Sequence, residues 1–121
     1  MKKILIIEDE ISLRNALRDK LVGEGYLVLE AGDGETGLVT AINERPDLIL
    51  LDIIMPKMDG LIMLEKMRKD PWGKNAKVII LTNLNDKDYL LKSFRNEVYE
   101  YVIKTEVKIG DLVKTVKARL E

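Results

Sequence analysis

The feature that most restricts the fold of this chain is a short apolar run at residues 48–51, which reads L-I-L-L and is followed by Asp52. Four apolar residues are too few for a helix, and they do not alternate with polar residues as a strand exposed on one face would. The run is therefore typical of a strand that is buried on both faces of a parallel sheet. Such a strand presents Asp52 at the carboxyl edge of the sheet, where open α/β proteins bind their ligands.

Strands and helices alternate along the whole chain. Strands are predicted at residues 3–7, 26–31, 48–52, 77–81 and 98–103. Apolar residues recur at three- and four-residue spacing between and after these runs, and this spacing predicts five helices, of which the fourth covers residues 86–96 and the last follows residue 108. Parallel neighbours need right-handed crossovers, so the pattern predicts a doubly wound, flavodoxin-like α/β fold with a five-stranded parallel sheet in the order 2-1-3-4-5.

Composition excludes several classes of protein. The chain has 121 residues, 46% of them hydrophobic, and nothing in it resembles a linker or a repeat, so we expect one domain over residues 1–121. Its 20 basic and 21 acidic residues nearly cancel, which argues against direct nucleic-acid binding. No apolar run approaches the ~18 residues of a membrane span, and no signal-peptide cleavage region follows the first residues. The absence of cysteine fits a cytoplasmic location, and the absence of histidine excludes a His-based triad, metal site or phosphocarrier on this chain.

The predicted strand order brings polar residues from four strand ends to one rim. Strands one and three are neighbours where the winding reverses, and they end at Glu8 and Asp9 and at Asp52. Strands four and five end at Thr82 and Lys104. Three clustered carboxylates repel one another, so a cation or a raised pKa must relieve them.

The chemistry of this rim points to a phosphoryl group. Oxygen ligands without histidine or cysteine suit a hard cation, and Mg²⁺ suits a site that keeps waters and shares a phosphate. A lysine and a threonine hydroxyl can bind phosphoryl oxygens, and an aspartate can accept a phosphoryl group as an acyl phosphate. The sequence therefore predicts a magnesium-assisted phospho-aspartate site.

The whole chain resembles the receiver domain of two-component response regulators, of which the chemotaxis regulators are the familiar type. The matching segments are I-I-E-D-E, L-L-D-I-I-M-P-K-M-D-G, I-I-L-T-N and Y-V-I-K-T, in this order and at the predicted strand ends. The resemblance implies that Asp52 accepts the phosphoryl group from a sensor histidine kinase, a phosphotransfer protein or a small acyl phosphate.

Roles for the other rim residues also follow from the resemblance. It implies that Mg²⁺ is held by Glu8, Asp9, Asp52 and the backbone carbonyl of Ile54. Thr82 and Lys104 would contact the phosphoryl group, and Tyr101 would be the aromatic switch that turns inward as Thr82 moves. The output face would be the helix at residues 86–96, the fifth strand and the last helix, which would contact an effector, another receiver or, after phosphorylation, a second copy of the chain.

Two other functions remain open from the sequence. A pseudo-receiver would have the same fold and bind proteins without taking phosphate. A phosphatase that uses an aspartyl phosphate would need a second aspartate two residues after Asp52, where this chain has Ile54. Ile54 and Leu84 are apolar and cannot orient a water for attack on the phosphoryl group, so we expect slow self-dephosphorylation.

Overall fold

In the part of the chain that the structure describes, five parallel strands form one sheet in the predicted order β2-β1-β3-β4-β5. This computed structural model describes residues 1–82, 100–104 and 107–121, without the side chains of Thr82 and Glu100. The strands are β1 Lys3–Ile7, β2 Leu27–Ala31, β3 Leu48–Asp52, β4 Val78–Thr82 and β5 Glu100–Ile103. The doubly wound α/β class predicted from the sequence is therefore confirmed.

Helices cover both faces of the sheet. They are α1 Ile11–Gly23, α2 Gly34–Glu44, α3 Gly60–Arg68 and α4 Ile109–Leu120, with one turn of 3-10 helix at Gly73–Asn75. The structure thus contains four of the five predicted helices, and the helix predicted at residues 86–96 lies outside the described residues. None of the helices described has the length and apolar character needed to cross a bilayer.

The side chains of β1 and β3 alternate between two separate cores. On one face, Leu5 and Ile7 pack with residues of α2 and α3, and on the other, Ile4 and Ile6 pack with residues of α1 and α4. All five residues of β3 are buried, as the apolar run predicted. Because burial on both faces fixes the central strands, the residues that follow β1 and β3 are held at defined positions.

The strand ends differ slightly from the prediction. Tyr26 precedes β2, and its buried ring instead donates a hydrogen bond from its hydroxyl to Glu121 Oε1 at 3.3 Å. The fourth strand begins one residue later than predicted and includes Thr82, which pairs with Ile103 of β5. Both differences move a boundary by one residue, so neither changes which residues reach the carboxyl edge.

Local hydrogen bonds hold the connection between α3 and β4. The Asp70 carboxylate accepts hydrogen bonds from the backbone N–H groups of Trp72 and Gly73. Trp72 packs against the core that contains Leu5 and Ile7. This connection precedes β4 and therefore lies at the amino edge of the sheet, so Trp72 fluorescence will report unfolding of the core and not events at the opposite, carboxyl edge.

Candidate functional site

The register of the central strands places two carboxylates side by side. Ile7 of β1 pairs with Leu51 of β3, so the next residues, Glu8 and Asp52, are neighbours at the carboxyl edge. Glu8 is fully buried and Asp52 nearly so, whereas Asp9 is exposed. One carboxylate oxygen from each of the three lies within 4.8 Å of the others. We call Glu8, Asp9 and Asp52 the acid cluster.

Lys104 reaches the acid cluster from β5, two strands away along the same edge of the sheet. It follows β5, and its Nζ lies 2.8 Å from Glu8 Oε1 and 3.1 Å from Asp52 Oδ2. Only 12% of its side chain is exposed. One ammonium therefore bridges two buried carboxylates, which gives part of the charge compensation that three clustered acids require.

Burial and the remaining repulsion together shift the proton affinity of Asp52. The pKa of the Asp52 carboxyl is raised from 3.8 to about 7, first by burial and then by the Glu8 carboxylate, against the opposing charge of Lys104. Burial alone would lower the pKa of the Lys104 ammonium, but its hydrogen bond to Glu8 and the charges of Asp52 and Glu8 raise it above its ordinary value. Near neutral pH, Lys104 is therefore charged while Asp52 is close to its point of half-protonation.

The acid cluster keeps capacity for a further cation. Glu8 Oε2 is buried and has no hydrogen-bond partner among the residues that the structure describes. A buried carboxylate oxygen without a donor is costly unless a cation or water completes it. The atoms of the acid cluster that could bind a metal are all carboxylate oxygens, and oxygen ligands are the ones that Mg²⁺ prefers. The residues present thus fit a magnesium ion at this place.

The loop between β3 and α3 is tightly held beside Asp52. The Gly60 N–H donates to the Ile53 carbonyl at 2.6 Å, and a Cβ on Gly60 would collide with the carbonyl oxygen of Asp52. Lys57 adopts a left-handed backbone with φ of 67°, and its Nζ lies 3.9 Å from Asp33 Oδ2. Close contacts on both sides of the loop fix the backbone that carries Asp52.

Asp33 supports this loop from the neighbouring helix. Its carboxylate caps α2 by accepting a hydrogen bond from the Thr36 N–H at 2.8 Å. That bond holds the pKa of Asp33 below its ordinary value, although burial opposes the shift, and the charge of Lys57 adds to it. The start of α2 therefore presents a stable negative charge to the loop that follows β3.

The other residues predicted for the site have different surroundings. Thr82 ends β4 at the same edge, but its side chain lies outside what the structure describes. The Ile54 side chain is 52% exposed, two residues after Asp52, and that of Tyr101 on β5 is 39% exposed. Leu84 lies outside the described residues. The structure thus brings Glu8, Asp9, Asp52 and Lys104 together and leaves Tyr101 on the surface.

Sequence reasoning missed Arg14. The guanidinium of this α1 residue donates from Nη1 to the backbone carbonyl of Glu8 at 3.0 Å. Nothing in the sequence marks Arg14, because one face of a helix carries both Arg14 and Arg18 and the contact depends on how α1 meets the end of β1. Contacts of this kind become visible only in three dimensions.

Comparisons with known proteins agree on one family. The family model described as the response regulator receiver domain matches residues 4–117. A CheY-like response regulator receiver domain protein from Methanospirillum hungatei has a similar structure, with a TM-score of 0.90 and 31% identity over 99% of this chain and 94% of that one. The response regulator TrrA from Thermotoga maritima, solved in complex with Mg²⁺–BeF, has a TM-score of 0.84 and 35% identity over 98% of this chain and 99% of that one.

A longer curated relative shares only this part of its length. The probable transcriptional regulator ycf27 of Guillardia theta is 38% identical over 103 residues, which is 85% of this chain but 39% of the relative. The chain therefore spans about two fifths of that protein.

Proposed function

The chain belongs to the response regulator receiver domain family, a family of two-component signalling domains rather than conventional enzymes, and we propose that it is a phosphorylation-controlled switch whose phosphoryl acceptor is Asp52. The observation that carries the proposal is the position of the Asp52 carboxylate. It ends a central buried strand, lies within the acid cluster and is 3.1 Å from the ammonium of Lys104. A nucleophilic oxygen, a site for a cation and a fixed positive charge are thus together at one place.

In this proposal the acid cluster and the Ile54 carbonyl hold Mg²⁺. When bound, the ion would supply positive charge that favours the ionised Asp52 carboxylate and offsets the charge of the incoming phosphoryl group. The unpartnered Glu8 Oε2 supports this assignment from within the chain. The likeness to TrrA, which was solved with Mg²⁺–BeF, supports it from outside.

The chain's own residues would carry out the transfer. An Asp52 carboxylate oxygen attacks the phosphorus of the donor and forms an acyl phosphate, while the bond from phosphorus to the donor nitrogen or oxygen breaks and leaves its electron pair on the donor. Lys104 would move from Asp52 to a phosphoryl oxygen, and the Thr82 hydroxyl would donate to another. A sensor histidine kinase, a phosphotransfer protein or a small acyl phosphate would be the donor.

The signal would leave through the side of the domain that carries β5. Movement of Thr82 and Lys104 toward the phosphoryl group would favour an inward position of Tyr101. The balance between the inactive and active conformations of β5, α4 and the segment at residues 86–96 would then shift. An effector, another receiver or a second phosphorylated copy would bind there. In this proposal residues 1–121 form one receiver domain. In a longer protein, the output activity would belong to whichever domain is joined to it.

Incubation with acetyl phosphate and Mg²⁺ tests the proposal on the parent protein. We expect intact mass to increase by one phosphoryl group, with no increase when EDTA removes the metal. Borohydride reduction of the acyl phosphate followed by peptide mass mapping should mark Asp52, since reduction converts an aspartyl phosphate to homoserine. An adduct on another residue would overturn the assignment of Asp52, and the lack of any adduct would favour a pseudo-receiver that acts by binding alone.

The lifetime of the acyl phosphate tests whether the apolar side chain of Ile54 slows its hydrolysis. The exposed, apolar Ile54 side chain cannot orient an attacking water, so we expect a half-life of minutes or longer for the parent. Ile54→Gln should shorten this half-life several-fold, measured as loss of the phosphoryl mass after the donor is removed. Ile62→Gln, a change at an exposed isoleucine of α3, is the matched control and should leave the half-life unchanged. A parent half-life of seconds would contradict the prediction.

A further inference from the structure

Arg14 connects α1 to the backbone beneath the acid cluster. Its Nη1 donates to the Glu8 carbonyl at 3.0 Å, and 21% of its side chain is exposed. That carbonyl belongs to the peptide that joins Glu8 to Asp9. A hydrogen bond from a charged donor is stronger than one between neutral groups, so this bond resists rotation of the peptide.

Two features of β2 and the turn after it hold Arg14 in place. Glu30 of β2 forms an ion pair with the guanidinium, with 3.5 Å between Glu30 Oε1 and Arg14 Nε. Gly32 leaves the space for that guanidinium, because a Cβ there would lie 2.9 Å from Arg14 Nη1. The Glu8 N–H also donates to the Ala31 carbonyl at 3.0 Å. Glu8 is therefore attached directly to the end of β2 through its N–H, and through its carbonyl to Arg14 of α1, which in turn pairs with Glu30 of β2.

Asp9 depends on this attachment more than Glu8 does. Glu8 is buried and bound to Lys104 through its side chain, so packing restricts it directly. Asp9 is exposed, so packing restricts its side chain less, and the Glu8–Asp9 peptide sets the position from which its carboxylate extends. If that peptide turned, Asp9 would leave the 4.8 Å group that it forms with Glu8 and Asp52.

We propose that Arg14 is a positioning residue for the divalent-cation site, because it fixes the Glu8–Asp9 peptide so that the Asp9 carboxylate faces Glu8 and Asp52. This inference rests on the proposed function, since it concerns the same metal site. Positioning and charge act in opposite directions here. Loss of a guanidinium removes a positive charge near the cation and alone would tighten Mg²⁺ binding, whereas loss of the fixed peptide weakens it.

Arg18 provides a matched control for charge. It lies one turn further along α1, and its Nη1 is 3.4 Å from Glu30 Oε2, so it shares the ion-pair partner of Arg14. Its other hydrogen bonds go to Asn15 and Asp19, away from the Glu8 carbonyl. Arg18→Gln therefore removes a charge and a Glu30 contact but leaves the Glu8–Asp9 peptide unchanged.

The experiment is a titration with Mg²⁺ alone, in which the backbone amide NMR shifts of the loops after β1 and β3 report binding. Arg14→Gln should raise the dissociation constant about tenfold, as loss of outer hydrogen bonds does at other metal sites. Arg18→Gln should stay close to the parent. Arg14→Lys keeps the charge but lacks the planar guanidinium that spans Glu8 and Glu30. Its affinity for Mg²⁺ should therefore fall between that of Arg14→Gln and that of the parent. The rate of phosphoryl uptake should fall for Arg14→Gln at low Mg²⁺ and recover at saturating Mg²⁺.

The outcomes separate this inference from the proposed function. A parent that does not respond to Mg²⁺ would overturn the metal site itself, and the inference with it. A parent that binds Mg²⁺ while Arg14→Gln binds as tightly as Arg18→Gln would overturn the positioning role alone. Should Arg14→Gln fail to fold, Arg14→Lys decides: weaker binding than the parent supports positioning, and equal binding contradicts it.

Discussion

Asp52→Asn is expected to abolish phosphoryl uptake and to make the metal-free protein more stable at alkaline pH. The amide cannot form an acyl phosphate, so no phosphoryl mass should appear with acetyl phosphate and Mg²⁺. The stability gain follows because the amide removes an ionised group from a buried position beside Glu8. A residue that is necessary for function is thus expected to be unfavourable for folding.

The pH dependence of this gain can be worked out from the sign of the shift. The pKa of Asp52 is raised in the folded state, so the folded protein keeps the proton between about pH 4 and about pH 7 while the unfolded chain has lost it. The carboxyl therefore contributes its full stability below its unfolded pKa and loses it as the pH rises through 7. Asparagine stays neutral, so the advantage of Asp52→Asn grows over that window and is constant above it.

The size of the gain has an upper limit. A rise in pKa from 3.8 to about 7 corresponds to at most roughly 4 kcal/mol. We expect a gain below this limit, which already includes the opposing charge of Lys104, since Lys104 is one of the causes of the net shift. Urea unfolding followed by Trp72 fluorescence in EDTA, at pH values from acid to alkaline, measures it. Asp111→Asn makes the same change at an exposed position of α4, and as a control its effect should be small compared with that of Asp52→Asn. A difference between Asp52→Asn and the parent that does not change with pH would contradict the raised pKa.

Lys104→Met should have the largest destabilising effect at this site. The ammonium bridges Glu8 and Asp52, and its removal leaves two buried carboxylates without their cation. Loss of one partner of a buried ion pair typically costs about 3–5 kcal/mol, which is a large fraction of the stability of a domain of this size. The loss should be greatest at alkaline pH and smaller at acid pH, where Asp52 carries its proton.

A double variant checks the cause of this loss. Lys104→Met combined with Asp52→Asn should recover part of the lost free energy of unfolding, because one of the two uncompensated charges is then absent. Lys114→Met on α4 changes an exposed lysine and should have little effect. If the double variant were no more stable than Lys104→Met, lost packing of the lysine stem and not charge would explain the effect.

Much of the fold could be predicted because the signals are local. Each buried strand is a short apolar run, and the acids at its end follow directly in the sequence, so β1 and β3 were predicted with their observed bounds. Tyr26 was wrongly included in β2 because an aromatic residue extends an apolar run, whereas its ring is buried before the strand begins. The helix at residues 86–96 and the roles of Thr82 and Tyr101 remain predictions.

The site was predicted as a set of residues but not as a set of contacts. That Glu8, Asp9, Asp52 and Lys104 share one edge follows from strand order alone. The simultaneous contact of Lys104 with Glu8 and Asp52, the raised pKa of Asp52 and the hydrogen bond from Arg14 depend on distances between segments that are far apart in sequence. No pattern within a short window carries such distances.

The strand order also places the negative and positive groups of the site on strands that are held differently. The acid cluster lies at the ends of β1 and β3, which are paired on both sides, whereas Lys104 follows β5, one of the two edge strands of the described sheet. Local opening in proteins costs least at elements with few neighbours, while core strands open at a free energy that approaches that of global unfolding. Detachment of β5 would therefore withdraw the counter-ion without displacing the anions. A change in the position of β5 would thus change the electrostatic potential at Asp52 while the carboxylates keep their positions.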